Sequence, residues 1–138
     1  MEKRKILVID DDLVWHKLFR RLFGMRYDVH AAFSCAEGVK MAQREQPECI
    51  LLDFHLQDGD AVSVCSQLGK SGNKMNVPVV VISSDSGAEI TAYAECRAAY
   101  FVLKGTPAVA ELPAIVEKLL LNGSAGFSEK KPRIGSLG

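Results

Sequence analysis

Apolar residues along this chain gather into short continuous runs, and each run stops at a polar residue. Ile6-Leu7-Val8-Ile9 runs into Asp10-Asp11-Asp12, and Cys49-Ile50-Leu51-Leu52 runs into Asp53. Val77 to Ile82, with Pro78 near its start, ends in Ser83-Ser84-Asp85, and Tyr100-Phe101-Val102-Leu103 ends in Lys104-Gly105. Runs this short, β-branched and aliphatic and bounded by turn-formers, predict buried strands. A further short strand is predicted near Tyr27 to Ala31.

The segments between them carry the helical period. Leu13 to Phe23 places Leu18, Phe19 and Leu22 on one face, with Gly24 as a C-terminal stop. Ser34-Cys35-Ala36-Glu37 has the spacing of a capping box and opens a helix to about Gln46, stopped by Pro47. Asp60 is placed to cap a third helix with Ala61, Val64, Cys65 and Leu68 at helical spacing. Gly87 to about Ala98, rich in small residues, predicts a fourth. Ala110 to Leu121 predicts a fifth, with Leu112, Ile115, Val116 and Leu119 inward and Pro113 tolerated only in the first turn. Strand and helix alternate five times, which defines a doubly wound α/β domain with a parallel sheet.

In such sheets ligands bind outside the carboxyl ends of the strands. The polar groups delivered there are acids at 10–12, the acid Asp53, the hydroxyl of Ser83 and the ammonium of Lys104. Crowded carboxylates repel one another and raise each other's pKa unless a cation is present, and hard oxygen ligands suit Mg²⁺ or Ca²⁺. Asp11 or Asp12 is alternatively a helix cap, but capping needs one acid and three are supplied.

Composition narrows the class. A chain of 138 residues with 48% hydrophobic content forms one domain with a real core. Basic and acidic residues both total 17, so the balance lacks the basic excess of a phosphate-gripping nucleic-acid binder. Cys35, Cys49, Cys65 and Cys96 show no metal-ligand spacing and read as reduced, mostly buried thiols. The first apolar run is too short for a signal peptide and no run reaches transmembrane length, so a cytoplasmic location without membrane contact is expected. The domain is expected to occupy residues 1–121. From Asn122 to Gly138 the sequence turns to Gly, Ser, Lys and Pro without periodicity, which predicts a flexible tail or linker.

Taken together and in order, Ile-Leu-Val-Ile-Asp-Asp-Asp at 6–12, Leu-Leu-Asp-Phe-His-Leu-Gln-Asp-Gly-Asp at 51–60, Val-Ile-Ser-Ser at 81–84 and Tyr-Phe-Val-Leu-Lys at 100–104 resemble a response-regulator receiver domain of bacterial two-component signalling. The resemblance spans about residues 4 to 121. It implies a flavodoxin-like (βα)5 fold with strand order 2-1-3-4-5. Asp53 would be the phosphoacceptor. Asp10, Asp11, Asp53 and the backbone carbonyl of His55 would hold Mg²⁺, with Asp10 acting through water. Ser83 would bond a phosphoryl oxygen, and Lys104 would pair with the acyl phosphate. Ser83 and Phe101 would form the switch.

The implied donor is a phosphohistidine on a sensor histidine kinase or phosphotransfer protein. The implied output is a shape change on the face of the fourth helix, fifth strand and fifth helix, which would dock an effector or a second copy on phosphorylation. The domain would then be a signalling switch rather than an enzyme, catalysing only its own phosphorylation and dephosphorylation, with no direct contact to nucleic acid.

Three departures from the family pattern bear on loop geometry. Gln57 stands where many receivers have Pro, Ala61 where many have Gly, and Gly105 where many have Pro after the lysine. The first two predict a more mobile loop after Asp53. The third predicts a trans bond between Lys104 and Gly105, because a cis bond before a residue other than proline costs roughly 2.5–4 kcal/mol. His16 reads as a partly exposed helix residue and His30 as a strand-end residue, neither a ligand, while Trp15 reads as packing near enough to report on the site. Two rivals differ in class. Asp10-x-Asp12 also resembles the opening of haloacid-dehalogenase-like phosphatases, with Asp10 as nucleophile, but no acids at strand ends follow Lys104 as that family requires. A receiver-like binding module working without phosphorylation would lack an acid, the hydroxyl or the lysine, and this chain lacks none.

Overall fold

The computed structural model describes residues 2–70 and 77–128. Its elements are β1 (Arg4–Ile9), α1 (Leu13–Phe23), β2 (Tyr27–Ala32), α2 (Cys35–Glu45), β3 (Cys49–Asp53), α3 (Ala61–Lys70), β4 (Val79–Ser83), α4 (Glu89–Glu95), β5 (Tyr100–Leu103) and α5 (Leu112–Ser128). The five strands form one sheet in the order β2-β1-β3-β4-β5, every neighbouring pair parallel. This is the expected doubly wound flavodoxin-like order. A two-residue antiparallel ladder, His55–Leu56 with Gly59–Asp60, closes the loop between β3 and α3.

Period-two alternation divides the strands between two cores. Leu7, Ile9, Ile50, Leu52, Val79 and Val81 face α2, α3 and α4, where Ala42, Val64, Leu68 and Ala92 meet them. Ile6, Val8, Leu51, Val80, Ile82 and Val102 face α1 and α5, against Phe19, Phe23, Leu112 and Val116. Burying each large aliphatic contributes about 1.5–3 kcal/mol, so the central strands are anchored on both faces and their ends are fixed in space.

On one side the packing is close enough to exclude a methyl group. A Cβ on Gly38 of α2 would stand 2.6 Å from Ile9 Cδ1 and 3.0 Å from Ile9 Cγ1 and Cγ2. Gly38→Ala therefore loses stability by about 1 kcal/mol, overpacking outweighing the gain in helix propensity. A variant whose melting temperature equals or exceeds wild type would refute this.

Local signals were largely met. Ser34 Oγ accepts the Glu37 N–H at 3.0 Å, as expected of the cap of α2, while Glu37 Oε1 reaches back one residue further, to the Phe33 N–H at 2.7 Å, rather than to the N–H of Ser34 itself. Gln46 ends that helix in the left-handed region at φ 53°, just before Pro47. Pro113 falls in the first turn of α5, where its missing donor is harmless. No described peptide bond is cis, and Gly105 takes φ +81°, the permissive dihedral expected after Lys104.

Several boundaries differ. A 3₁₀ turn, Ser86–Ala88, precedes α4, which ends at Glu95 because Arg97 adopts φ 54°. A second 3₁₀ turn, Pro107–Glu111, precedes α5. That helix continues past Leu121 to Ser128, so the chain is still helical where a tail was expected from Asn122. The remainder of that expected tail, from residue 129, lies outside the described residues.

His16 is a correction. It is only 7% exposed, not a surface helix residue, because its ring packs on Phe33 at 4.1 Å between centroids. The cysteines are free thiols, Cys35, Cys49 and Cys96 buried and Cys65 half-buried. Burial pushes the Cys49 thiol up to about 12, and burial with the Asp58 carboxylate does the same to Cys35. No described helix is long and apolar enough to cross a membrane.

Candidate functional site at the strand ends

Four of the strands deliver a polar residue at the sheet edge, either as the last residue of the strand or the one after it. Asp10 follows β1, Asp53 ends β3, Ser83 ends β4 and Lys104 follows β5. Asp10 is 1% exposed, Asp53 8% and Ser83 1%, so the polar groups are withdrawn from water. Oxygen atoms of Asp10, Asp11 and Asp53 lie within 4.8 Å of one another.

Lys104 holds this cluster together. Its Nζ donates to Asp10 Oδ2 at 2.9 Å and to Asp53 Oδ2 at 3.2 Å. It also stands 4.7 Å from the centroid of the Trp15 ring, a cation–π contact that sequence placed only as nearby packing. Burial pulls the Lys104 pKa down, but its hydrogen bonds to the two carboxylates and their charges outweigh that and raise it, so it stays an ammonium. Asp53 departs from an ordinary carboxylate. Burial first, then the charge of Asp10, raise its pKa to about 6 against the pull of Lys104.

The three acids at the end of β1 divide their work. Asp12 is the cap of α1, its Oδ1 accepting the Val14 N–H at 2.9 Å. Asp10 Oδ1 accepts the Asp12 N–H at 2.9 Å, and the Asp10 carbonyl accepts from His16 Nε2 at 2.6 Å. A carbonyl can only accept, so His16 carries its proton on Nε2. That bond ties the turn after β1 to α1, and no pattern in the sequence announces it.

The loops around the site are tied to one another. His55 Nε2 meets Asp85 Oδ2 at 2.9 Å, joining the loops that follow β3 and β4. The His55 side chain is thus engaged with Asp85. The hydrogen bond from His55, then that from the Gly87 N–H, lowers the Asp85 pKa. The Asp85 N–H donates to Ser83 Oγ at 3.0 Å, which holds the hydroxyl within its own loop. The Lys104 N–H donates to the Ser83 carbonyl at 2.8 Å.

Phe101 is half-buried against the core beside α4, and its N–H donates to the Tyr93 hydroxyl at 3.0 Å. Tyr93 was not singled out from sequence, because only the packing of α4 on β5 brings it there. Burial raises its pKa.

With this geometry the comparisons are unambiguous. The chain belongs to the response regulator receiver domain family, whose model matches residues 6–117. It is 30% identical over 130 residues to the response regulator MprA of Mycobacterium leprae, covering 93% of this chain and 53% of that protein. The chain therefore spans about half the length of the curated relatives it matches. Among solved structures it resembles the receiver domain of NtrX from Brucella abortus, with 25% identity, a TM-score of 0.73, and 86% and 99% of the two chains covered. It also resembles the response regulator TrrA from Thermotoga maritima in complex with Mg²⁺-BeF, with 21% identity, a TM-score of 0.70, and 83% and 97% covered. That likeness supports the fold.

Proposed function

We propose that this domain is a Mg²⁺-dependent phosphoacceptor switch in which Asp53 takes a phosphoryl group from a phosphohistidine on a sensor histidine kinase or phosphotransfer protein. The observation that carries this reading is the cluster of three carboxylates, Asp10, Asp11 and Asp53, with the single ammonium of Lys104 bridging the two buried ones. One ammonium leaves that set with excess negative charge, and its hard oxygen donors fit Mg²⁺. The TrrA relative was solved in complex with Mg²⁺-BeF. Asp10, Asp11, Asp53 and the His55 carbonyl would hold the ion, which when bound neutralises charge on the phosphoryl oxygens.

The chain's own groups do the rest. Asp53 Oδ attacks the phosphorus, the bond from phosphorus to the donor imidazole breaks, and an aspartyl phosphate forms. Lys104 meets a phosphoryl oxygen and offsets the approach of anion to anion. Ser83 gives its hydroxyl hydrogen to another oxygen. The output is the surface of α4, β5 and α5, offered to an effector or a second copy. The domain's only chemistry is its own phosphorylation and dephosphorylation, its location is cytoplasmic, and it makes no direct nucleic-acid contact.

Incubation with Mg²⁺ and acetyl phosphate should add one phosphoryl group by intact mass, and chelation should abolish it. Labelling that survives Asp53→Asn and disappears in Asp10→Asn would replace this reading with a phosphatase-like one.

Two further outcomes test the loops. The His55–Asp85 pair joins the loops that follow β3 and β4 beside Asp53, so either His55→Ala or Asp85→Ala opens a path for water. Both variants should accept phosphate and lose it faster than wild type. Unchanged decay in both would dispose of the idea. Ser83→Ala should still accept phosphate but transmit it poorly. In the wild type, Ser83 Oγ accepts the Asp85 N–H, so turning its hydroxyl hydrogen to a phosphoryl oxygen would draw that loop inward beside Phe101. Phosphorylation can shift this equilibrium only by stabilising the inward state more than the outward one. NMR shifts at Phe101 and Tyr93 on adding beryllofluoride report the coupling. A full wild-type response in Ser83→Ala would refute it.

A further inference from the structure

Asp58 reaches out of the loop after β3 and grips the start of another element. Its Oδ1 accepts the Cys35 N–H at 2.8 Å and its Oδ2 accepts the Ala36 N–H at 3.1 Å. These are the first two donors of α2, which lack partners within the helix. Ser34 caps the same helix from within, taking the Glu37 N–H at 3.0 Å. The helix therefore has a cap of its own, and Asp58 adds a second one from a distant loop. The two donors hold the Asp58 carboxyl below the usual carboxylate range.

Asp58 is exposed and adds nothing to the core, so its contribution is positional. At one end the loop is fixed where Phe54 N–H donates to the Ile82 carbonyl at 3.2 Å and the Phe54 carbonyl accepts the Ala61 N–H at 2.8 Å. At the other end Asp60 Oδ1 caps α3 through the Ser63 N–H at 3.0 Å. Between these anchors lie His55, whose carbonyl would be the fourth member of the proposed cation site, and Gln57, which lacks the ring constraint of proline. Only the bidentate grip of Asp58, helped by Cys35 Sγ donating to the Asp60 carbonyl at 3.8 Å, ties this stretch to α2 among the described hydrogen bonds. The loop expected to be mobile from Gln57 and Ala61 is instead clamped.

We propose that Asp58 is a positioning residue for the cation site: by clamping the loop to the N-terminus of α2 it holds the His55 carbonyl in place for Mg²⁺. This rests on the Mg²⁺-dependent reading above. Groups hydrogen-bonded directly to a metal ligand change metal affinity by about 10–100-fold when removed, and Asp58 acts one step further out, so the low end of that range is expected.

The experiment compares Asp58→Ala, Asp58→Asn and Ser34→Ala in the full chain. Mg²⁺ affinity is read from backbone-amide NMR titration, alongside melting temperature and the initial rate of labelling by acetyl phosphate. Ser34→Ala removes a cap of the same helix without touching the loop, so it controls for a purely structural role. Asp58→Ala should bind Mg²⁺ about tenfold more weakly and label more slowly. Asp58→Asn, which keeps one acceptor, should fall between it and wild type. Ser34→Ala should lower the melting temperature about as much and keep its Mg²⁺ affinity within about twofold. Wild-type affinity in Asp58→Ala, or an equal loss in Ser34→Ala, would overturn the proposal. A wild-type chain that takes up no Mg²⁺ would overturn the reading beneath it instead, which the other variants cannot mimic.

Discussion

Asp53→Asn should abolish covalent phosphorylation under the proposed reading and, in the metal-free protein, should raise stability at neutral pH. The first effect is chemical: the amide oxygen is not a nucleophile toward phosphorus, and the variant keeps the shape of the site. The second follows from the pKa of about 6 that burial and Asp10 impose on the carboxyl. A carboxyl raised in the folded state binds its proton more tightly there than in the unfolded chain. Its contribution to stability is fully present below the ordinary value near 3.8 and is lost as pH rises through about 6. A shift of this size corresponds to roughly 3 kcal/mol. Above pH 6 the Asn variant should therefore exceed wild type by about that amount, and near pH 4 the difference should vanish. Saturating Mg²⁺ should narrow the gap at neutral pH by stabilising wild type. Urea denaturation in chelator across pH 4–8 checks this. Equal stabilities throughout would show that Asp53 is not under the stated repulsion.

Lys104→Met should be the most disruptive single change at the site. The Lys104 side chain is 9% exposed, and its ammonium is the hydrogen-bond donor shared by Asp10 and Asp53. Met keeps the length of the side chain and its packing on Trp15 while deleting the charge. The carboxylates then remain buried without a counter-charge, a situation that typically costs about 3–5 kcal/mol. Here Asp53 can take up a proton, so the loss is about 3 kcal/mol at pH 7 and smaller at pH 5. Mg²⁺ should restore part of it. Labelling by acetyl phosphate should fall about a hundredfold even in excess Mg²⁺, because a charge aimed at the developing phosphoryl oxygens is gone. Trp15, the only tryptophan, should change its emission in this variant, since the cation above its ring is removed. A loss under about 1 kcal/mol in chelator would show that water, not Lys104, compensates these acids.

How much of this was legible beforehand divides along a physical line. The strands and the polar residue at the end of four of them could be read from the chain, because burial imposes a pattern within a few residues, while the strand order came with the family resemblance. Four apolar runs, each ending where the sheet meets water, place Asp10, Asp53, Ser83 and Lys104 at one edge whatever the details of packing. The caps at Ser34 and Asp60 and the trans bond before Gly105 were likewise local consequences of residue type. The end of α5 was missed because Asn, Gly and Ser disfavour helix by about 1 kcal/mol per residue or less, and tertiary context overrides such preferences.

What the tertiary structure alone decided concerns pairs far apart in sequence. That Asp12 caps α1 while Asp10 turns to Lys104 depends on how β1 and β5 sit across the sheet. His16 is buried because Phe33, just before α2, closes over it. His55 meets Asp85, Trp15 lies under Lys104, and Asp58 clamps α2, all through loops whose relative positions are set by two packed cores. Sequence specifies these contacts only through the fold, since a hydrogen bond between distant side chains leaves no periodic trace. The chain by itself determined which chemical groups reach the sheet edge; the packing of helices on both faces decided which of them touch.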